Sequence, residues 1–338
     1  SLYKRIYHNL PYLLKAKGTI PGLRALITSY GIPDTVLRIN EYGGKDKVEG
    51  NDWDYWQNEF NYTFKTEGNN FISSSWNNLN WNSTNNSPET LAFRFKTDGL
   101  PETNIPYSQS LWNKGGDVHL VLKYTGSGYV SGSYSGSIID PYYQYALLDF
   151  YPNYTTAPNE SSSLYLPFFN GEWWSVMITR DGSSPNFTLS AGNKIYEGGD
   201  NGTVLGFYTS SIITASIDSD WYNNGDSYFA SSSIINGETY TQFSGSLQEI
   251  RYYINPINEK VFKDYIMNPY SIEGNSLNSG PNELAFRASL GGELYTGSLS
   301  IHPKVTGSWI TTSSFTSGND FYFNSTPTFV PNTEYFFY

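Results

Sequence analysis

The sequence contains no cysteine, which excludes disulfides and thiolate metal sites as sources of stability and leaves the redox compartment unread. Charge is scarce as well, since only 15% of residues are Asp, Glu, Lys or Arg. His8, His119 and His302 are the only histidines. None lies beside a Gly-x-Ser-x-Gly elbow, so a Ser-His-Asp site has no support. The longest apolar runs fall far short of the ~20 residues that span a bilayer, and no membrane insertion is expected.

Aromatic residues make up 17% of the chain, and 30 of them are tyrosines. Tyr joins an apolar ring to a polar tip and so serves cores, sheet faces and wet interfaces alike. At 338 residues the chain is long enough for two or three domains, one of which can be an all-β unit of roughly 200 to 250 residues. A net charge of −11 and a pI near 4.7 repel phosphate backbones, so nucleic-acid binding is disfavoured. The charge is unevenly placed. Residues 1 to 50 hold 8 basic and 4 acidic side chains, net +4, and the remainder holds 12 and 27, net −15. A basic front end on an acidic body reads as an attachment element carrying something else. The chain opens at Ser1 without Met and closes on Glu334-Tyr335-Phe336-Phe337-Tyr338, which reads as an interrupted strand. A piece of a longer protein is expected.

Leu2, Ile6, Leu10, Leu13 and Leu14 recur at helical spacing, with a kink or break expected near Asn9-Leu10-Pro11. Thr19 can cap a second helix whose apolar face is Leu23, Leu26, Ile27 and Tyr30, and Gly31 suits the left-handed position after it. Residues 35 to 42 then alternate with strand period. The expected domains are a helix-helix-strand docking block over 1–45, with Leu10, Leu13, Leu14, Leu23, Leu26 and Ile27 as docking residues, a β-domain over 46–275, and a further β-domain or C-terminal β extension over 276–338. Within 46–275, short alternating runs recur between Gly, Asn, Ser and Pro clusters, the rhythm of a sandwich or jelly roll. Strands are expected at 91–96, 119–124, 145–151, 163–168, 173–180, 186–190, 212–217 and 247–253. One helix interrupts them, capped by Asn258, buried through Val261, Phe262, Tyr265 and Ile266, and ended by Asn268-Pro269. Leu284-Ala285-Phe286-Arg287 repeats Leu91-Ala92-Phe93-Arg94, which points to an internal duplication or a new β-domain.

Three segments resemble the concanavalin A-like, laminin-G-like jelly roll. They are Leu91-Ala92-Phe93-Arg94-Phe95-Lys96-Thr97-Asp98, Phe169-Asn170-Gly171-Glu172-Trp173-Trp174-Ser175-Val176 and Phe243-Ser244-Gly245-Ser246-Leu247-Gln248-Glu249-Ile250-Arg251. The resemblance implies a mainly β sandwich over roughly residues 55 to 270. By strand alternation, one Trp of the 173–174 pair faces the core and the other faces outward. A second resemblance joins the front block, Tyr7-His8-Asn9-Leu10-Pro11-Tyr12-Leu13-Leu14-Lys15 through Leu37-Arg38-Ile39, to large virion structural proteins of tailed bacteriophages, where it stands upstream of laminin-G-like domains. The segments Phe262–Gly274 and Ser300–Trp309 resemble parts of the same proteins. This implies a virion location in tail, baseplate or fibre, other virion proteins as partners, and a homo-oligomer within the particle.

The site expectations are modest. A glycosidase of the laminarinase-like branch needs Glu-x-Asp-x-x-Glu on one strand, and no such run exists, so Glu249 is read as a strand-edge salt bridge and no catalytic residue is named. Trp53, Trp56, Trp76, Trp81, Trp112 and Trp221 lie in polar, loop-like sequence. They are candidate platforms for sugar rings or for protein contact, and the competing reading is core packing. Calcium is the only cofactor considered, because Asp218, Asp220 and Asp226 with Asn223 and Asn224 form the densest cluster of hard oxygen ligands. Solvated turns, in which Asx side chains bond their own backbone, account for the same cluster. The leading expectation is a non-enzymatic virion structural protein presenting a lectin-like sandwich. The alternative is a carbohydrate-binding module that recognises host surface glycans, and a glycoside hydrolase ranks third.

Overall fold

The computed structural model describes residues 2–31, 57–58, 62–68, 70–76, 88–99, 107–124, 129–130, 138–139, 144–155, 160–181, 185–196, 203–215, 219–223, 225–235, 237–269, 284–291, 294–296, 301–303, 305–306, 321–332 and 335–336. The chain forms two units, Ser1–Tyr55 and Trp56–Tyr338. The strand expected at 35–42 lies outside the described residues.

In the first unit, α1 runs from Leu2 to Lys15 and α2 from Ile20 to Ser29. Pro11 sits inside α1, which continues as a single helix, so of the kink or break expected there the break is absent. Proline removes one ladder hydrogen bond without ending the helix. The Thr19 side chain accepts from the Gly22 N–H at 3.2 Å and caps α2. Gly31, at φ 97°, closes it and donates its N–H to the Thr28 carbonyl. Gly22 lets the helices meet closely, because a Cβ there would stand 2.1 Å from the Ala16 carbonyl oxygen.

The second unit is a two-sheet β-sandwich, mainly β as the laminin-G-like resemblance implies. The first sheet runs, in order, Thr203–Thr209, Asn186–Tyr196, Trp174–Arg180, Thr90–Thr97, Gly245–Tyr253, Leu284–Ala288 and Val305–Thr306, all antiparallel. The second runs Ser162–Leu166, Ala146–Tyr151, Val118–Tyr124, Tyr107–Lys114, Asp226–Phe229, Ile72–Ser75 and Phe321–Phe323. In it, Glu238–Gln242 lies parallel to Tyr107–Lys114. Inward residues such as Leu91, Phe93, Phe95, Val176, Ile178, Leu120, Leu122 and Phe150 form one core between the sheets. Strand alternation sends Ala92, Met177 and Tyr253 to the opposite face of the first sheet. There, α3 (Glu259–Met267) covers them with Val261, Phe262, Tyr265 and Ile266. Asn258 caps α3 by accepting from the Val261 N–H, as expected.

Most expected strands are present, with two differences. The strand expected at 186–190 extends to Tyr196, and of that expected at 212–217 the described residues, which end at 215, form Ile213–Thr214. The repeated Leu-Ala-Phe-Arg segments flank one central strand: Thr90–Thr97 pairs with one edge of Gly245–Tyr253 and Leu284–Ala288 with the other. Strands after residue 275 thus join the sandwich, and Phe321–Phe323 and Thr328–Pro331 extend one sheet each.

Candidate functional surfaces

The tryptophans settle first. Trp76, Trp112 and Trp221 are fully buried and pack on one another, with ring centroids 4.8 Å apart for Trp76–Trp221, 5.4 Å for Trp76–Trp112 and 5.8 Å for Trp112–Trp221. The Trp76 indole N–H donates to the Trp221 carbonyl at 2.8 Å, and that of Trp221 to the Pro88 carbonyl at 3.0 Å. These three residues are core, which removes them as contact platforms. Trp53, Trp56 and Trp81 lie outside the described residues. Trp174 faces the core as alternation requires. Trp173 takes the other face, where the Arg94 guanidinium stands 5.0 Å from its ring.

Glu249 departs furthest from expectation. It sits in the central strand rather than at an edge, is wholly buried, and has φ 53° where the register with Thr90–Thr97 shifts. A bulge re-aims a side chain. The Glu249 carboxylate thereby accepts from Arg251 at 2.7 and 2.9 Å and from Arg287 at 2.7 and 2.9 Å. The Arg251 guanidinium also lies 4.3 Å from the Tyr265 ring and donates to the Pro269 carbonyl. Burial works against its charge, but Glu249 together with Tyr253 and Tyr265 more than reverses this, so the Arg251 pKa stands above the ordinary arginine value. On the other side of the strand, Arg94 donates to the Gln248 side chain at 3.2 Å. The two arginines of the repeated segment therefore converge on neighbouring residues of the central strand.

The candidate calcium cluster is engaged otherwise. One Asp220 carboxylate oxygen accepts from the Gly116 N–H at 2.9 Å and the other from the Asn223 amide at 3.1 Å. Its backbone carbonyl accepts from Lys114 at 2.7 Å. Burial lowers the Lys114 pKa to about 8. Asp226 opens a strand of the second sheet, and Asp218 lies outside the described residues. Among the described residues no three acidic or histidine side chains converge on a metal site. Nearby, His119 is buried and neither ring nitrogen has a hydrogen bond of good geometry, although the Gly116 backbone and the Asp117 and Asp220 carboxylates favour its cation. Burial prevails and lowers its pKa.

The outward face of the second sheet carries a polar and aromatic surface in which Asp149, Tyr151 and Tyr240 are buried and Lys123, Tyr145 and Tyr165 are half-buried. Lys123 pairs with Asp149 at 2.8 Å and lies 4.9 Å from the Tyr151 ring and 5.9 Å from that of Tyr240. Burial pulls the Lys123 pKa down, and Asp149 with Tyr151 more than restores it, so it stands above the ordinary value. Ser163 donates to the other Asp149 oxygen. Beside this row, half-buried Tyr145 and Tyr165 lie with ring centroids 5.5 Å apart. Sequence reasoning passed over these tyrosines, and the available signal was the alternation of Ser163 and Tyr165 with the buried Leu164 and Leu166.

The docking residues of the first unit lie at its surface. Leu10, Leu14, Leu23 and Leu26 are exposed, as are Tyr3, Tyr7, Tyr12 and Tyr30, while Leu13 and Ile27 are half-buried. No helix among the described residues is long and apolar enough to cross a membrane.

No family model and no curated protein matches the sequence. Solved structures that resemble it include a candidate carbohydrate-binding protein from Bacteroides ovatus, at TM-score 0.42 and 13% identity over 82% of this chain and 61% of that one. Others are the CBM40 of a Ruminococcus gnavus IT-sialidase, at 0.30 and 13% over 50% and 77%, and domains LG4-5 of the mouse laminin alpha1 chain, at 0.33 and 8% over 66% and 48%. This chain thus matches about three-fifths of the length of the Bacteroides protein. At these values the likeness identifies no ligand.

Proposed function

We propose that this chain is a non-enzymatic structural component of a phage virion, in tail, baseplate or fibre, whose two-helix unit docks onto a neighbouring virion protein and carries the lectin-like sandwich. The observation that carries the docking role is the surface of α1 and α2. Four leucines are exposed there beside Lys4, Arg5, Lys15, Lys17 and Arg24, with no acidic residue from 2 to 31. Such a surface suits an acidic partner with apolar patches. The phage setting rests on the resemblance of the front block. Of the four buried carboxylates among the described residues, Glu89, Asp149 and Glu249 each face a cation and Asp117 is held by the Thr155 and Asp220 backbone N–H groups, which supports a non-catalytic reading. Mass spectrometry of purified particles provides the test. The wild-type chain is expected in the particle, and Leu14→Glu/Leu23→Glu is expected to be depleted at least tenfold. Absence of the wild-type chain overturns the proposal.

A second reading, glycan recognition by the sandwich, is favoured by the Tyr145–Tyr165 pair beside Lys123, Asp149 and Ser163. Aromatic faces stack on sugar rings while exposed Ser163 and partly exposed Lys123 bond hydroxyls. Glycan-array binding that is lost in Tyr165→Ala supports it, and an array with no retained glycan removes it without touching the docking role.

A further inference from the structure

Thr203–Thr209 is the outermost strand of the first sheet, and among the described residues it pairs only with Asn186–Tyr196. An edge strand presents a row of unpaired backbone N–H and C=O groups, which proteins usually guard with charge, proline or a bulge. Within Thr203–Thr209 none of these guards is present. From Thr203 to Thr214 the sequence is Thr-Val-Leu-Gly-Phe-Tyr-Thr-Ser-Ser-Ile-Ile-Thr, without one charged residue or proline; the pairing with Asn186–Tyr196 is unshifted from Thr203 to Thr209 and moves by one residue only after it, between Ser190↔Thr209 and Phe187↔Ile213. Tyr208 is 38% exposed, Ile195 38% and Ile212 68%. Past Thr209 the chain bulges, and Ile213–Thr214 then rejoins the same neighbour at Asn186 and Phe187. The Ser210 N–H donates to the Leu189 carbonyl at 2.9 Å, and Ser162 donates to the Ser211 carbonyl at 2.8 Å, tying the turn to the second sheet.

We infer that this edge pairs with the same edge of a second copy of the chain, antiparallel about a two-fold axis at Gly206. That register sets Gly206 opposite Gly206, Leu205 opposite Phe207, Val204 opposite Tyr208 and Thr203 opposite Thr209. Aliphatic then meets aromatic and Thr meets Thr, which are favourable cross-strand pairs. The contact is isologous and closes at two copies. An uncharged strand offers nothing by which to select a differently charged partner, whereas its own sequence is complementary to itself about the centre. Seven residues span about 24 Å, and such a ribbon alone falls below the ~1,600 Å² of a standard interface, so the dimer is weak and concentration-dependent. Each copy carries net charge −11, and screening of that repulsion makes salt strengthen the association. The inference does not depend on docking by the helices.

The absence of cysteine permits a direct test on the full chain. In Thr203→Cys/Thr209→Cys, each introduced thiol faces the other position of the second copy. Antiparallel partners have Cα separations of about 4.5–5.5 Å, within disulfide reach. Within one chain the two positions lie at opposite ends of the strand. Oxidised glutathione, which takes up the two electrons and two protons, is expected to give a covalent species of twice the 38.1 kDa chain mass, while Thr203→Cys alone gives none. Sedimentation velocity is the second arm. Wild-type protein is expected to dimerise more at higher concentration and salt, Tyr208→Lys to weaken this at least tenfold with an unchanged circular dichroism spectrum and Tm, and Leu14→Glu/Leu23→Glu to leave it unmoved. A chain that stays monomeric without cross-linking overturns the inference. So does a dimer that Tyr208→Lys does not weaken, or one that pairs through another segment.

Discussion

The two units place their large apolar side chains in opposite ways. The sandwich encloses Trp76, Trp112, Trp174 and Trp221 almost completely, although three of them stand in polar sequence, while the helices leave Leu14 at 65% and Tyr3 at 83% exposed. Local polarity of sequence is therefore a poor guide to exposure here. A sheet can recruit a tryptophan from a serine- and asparagine-rich strand end, because the opposing sheet supplies the burial. Among the described residues of the first unit, the two short helices have no opposing layer, and four of their leucines are exposed. The contrast yields a prediction at each end of the scale.

The largest effect is expected at the tryptophan cluster. Trp221→Ala removes a ring packed against Trp76, Trp112 and Phe187 and leaves the Pro88 carbonyl without its donor. Large-to-small core changes of this kind cost ~3–5 kcal/mol, with about 1–3 more for an orphaned buried acceptor. Urea unfolding followed by tryptophan fluorescence measures it. A loss below about 1 kcal/mol, the range of many surface substitutions, would place Trp221 outside the core after all.

Glu249→Gln comes next and tests the other buried feature of the sandwich. Removing the shared anion leaves Arg251 and Arg287 buried without compensation, which costs ~3–5 kcal/mol. The double change Glu249→Gln/Arg287→Met is expected to recover part of that loss, because one orphaned cation goes with the anion. A double variant no more stable than Glu249→Gln would show that bulge geometry, not charge, dominates the site.

What the sequence made legible follows from the same contrast. The strands at 91–96, 119–124 and 247–253, the capped helix at 258 and the Thr19 cap were readable because each rests on local periodicity or local hydrogen bonding. Glu249 was misplaced for a physical reason. Alternation assigns one face of a strand outward, but every residue from Gly245 to Tyr253 is buried, with α3 covering Tyr253 and bonding the Glu249 carbonyl through Tyr265. The Glu249 charge persists inside because Arg251 of the same strand and Arg287 of the next one meet it, and the pairing with Arg287 leaves no trace in spacing. The tyrosine face of the second sheet was missed for a related reason. Tyrosine is so common in this chain that no local pattern separates Tyr165 from those that pack in cores.

A pH-dependent effect is expected from His119. Burial holds its folded pKa below the ordinary histidine value, so the unfolded chain binds the proton first as pH falls. Stability is fully present above the unfolded pKa of about 6.5 and declines as pH drops from there toward the folded value. His119→Phe removes this linkage. Thermal denaturation between about pH 7 and pH 5 should therefore show a steeper fall in Tm for the wild type than for the variant. Parallel curves would mean that the imidazole gains a partner in solution.

The smallest change in stability is expected in the helices, where the proposed docking role predicts the greatest loss of incorporation. Leu14 lies mostly in solvent, and a substitution at an exposed position away from caps and buried networks shifts stability by only about 0.5 kcal/mol. Leu14→Glu should leave the helical circular dichroism of the full chain and its Tm almost unchanged while placing a negative charge in the apolar, basic surface proposed to meet an acidic partner. The pairing of an unaltered fold with lost incorporation into the particle is what separates a docking surface from a misplaced core residue. If Leu14→Glu instead unfolds the front unit, the stripe on α1 and α2 is covered within the chain, and the opposition between the two units dissolves.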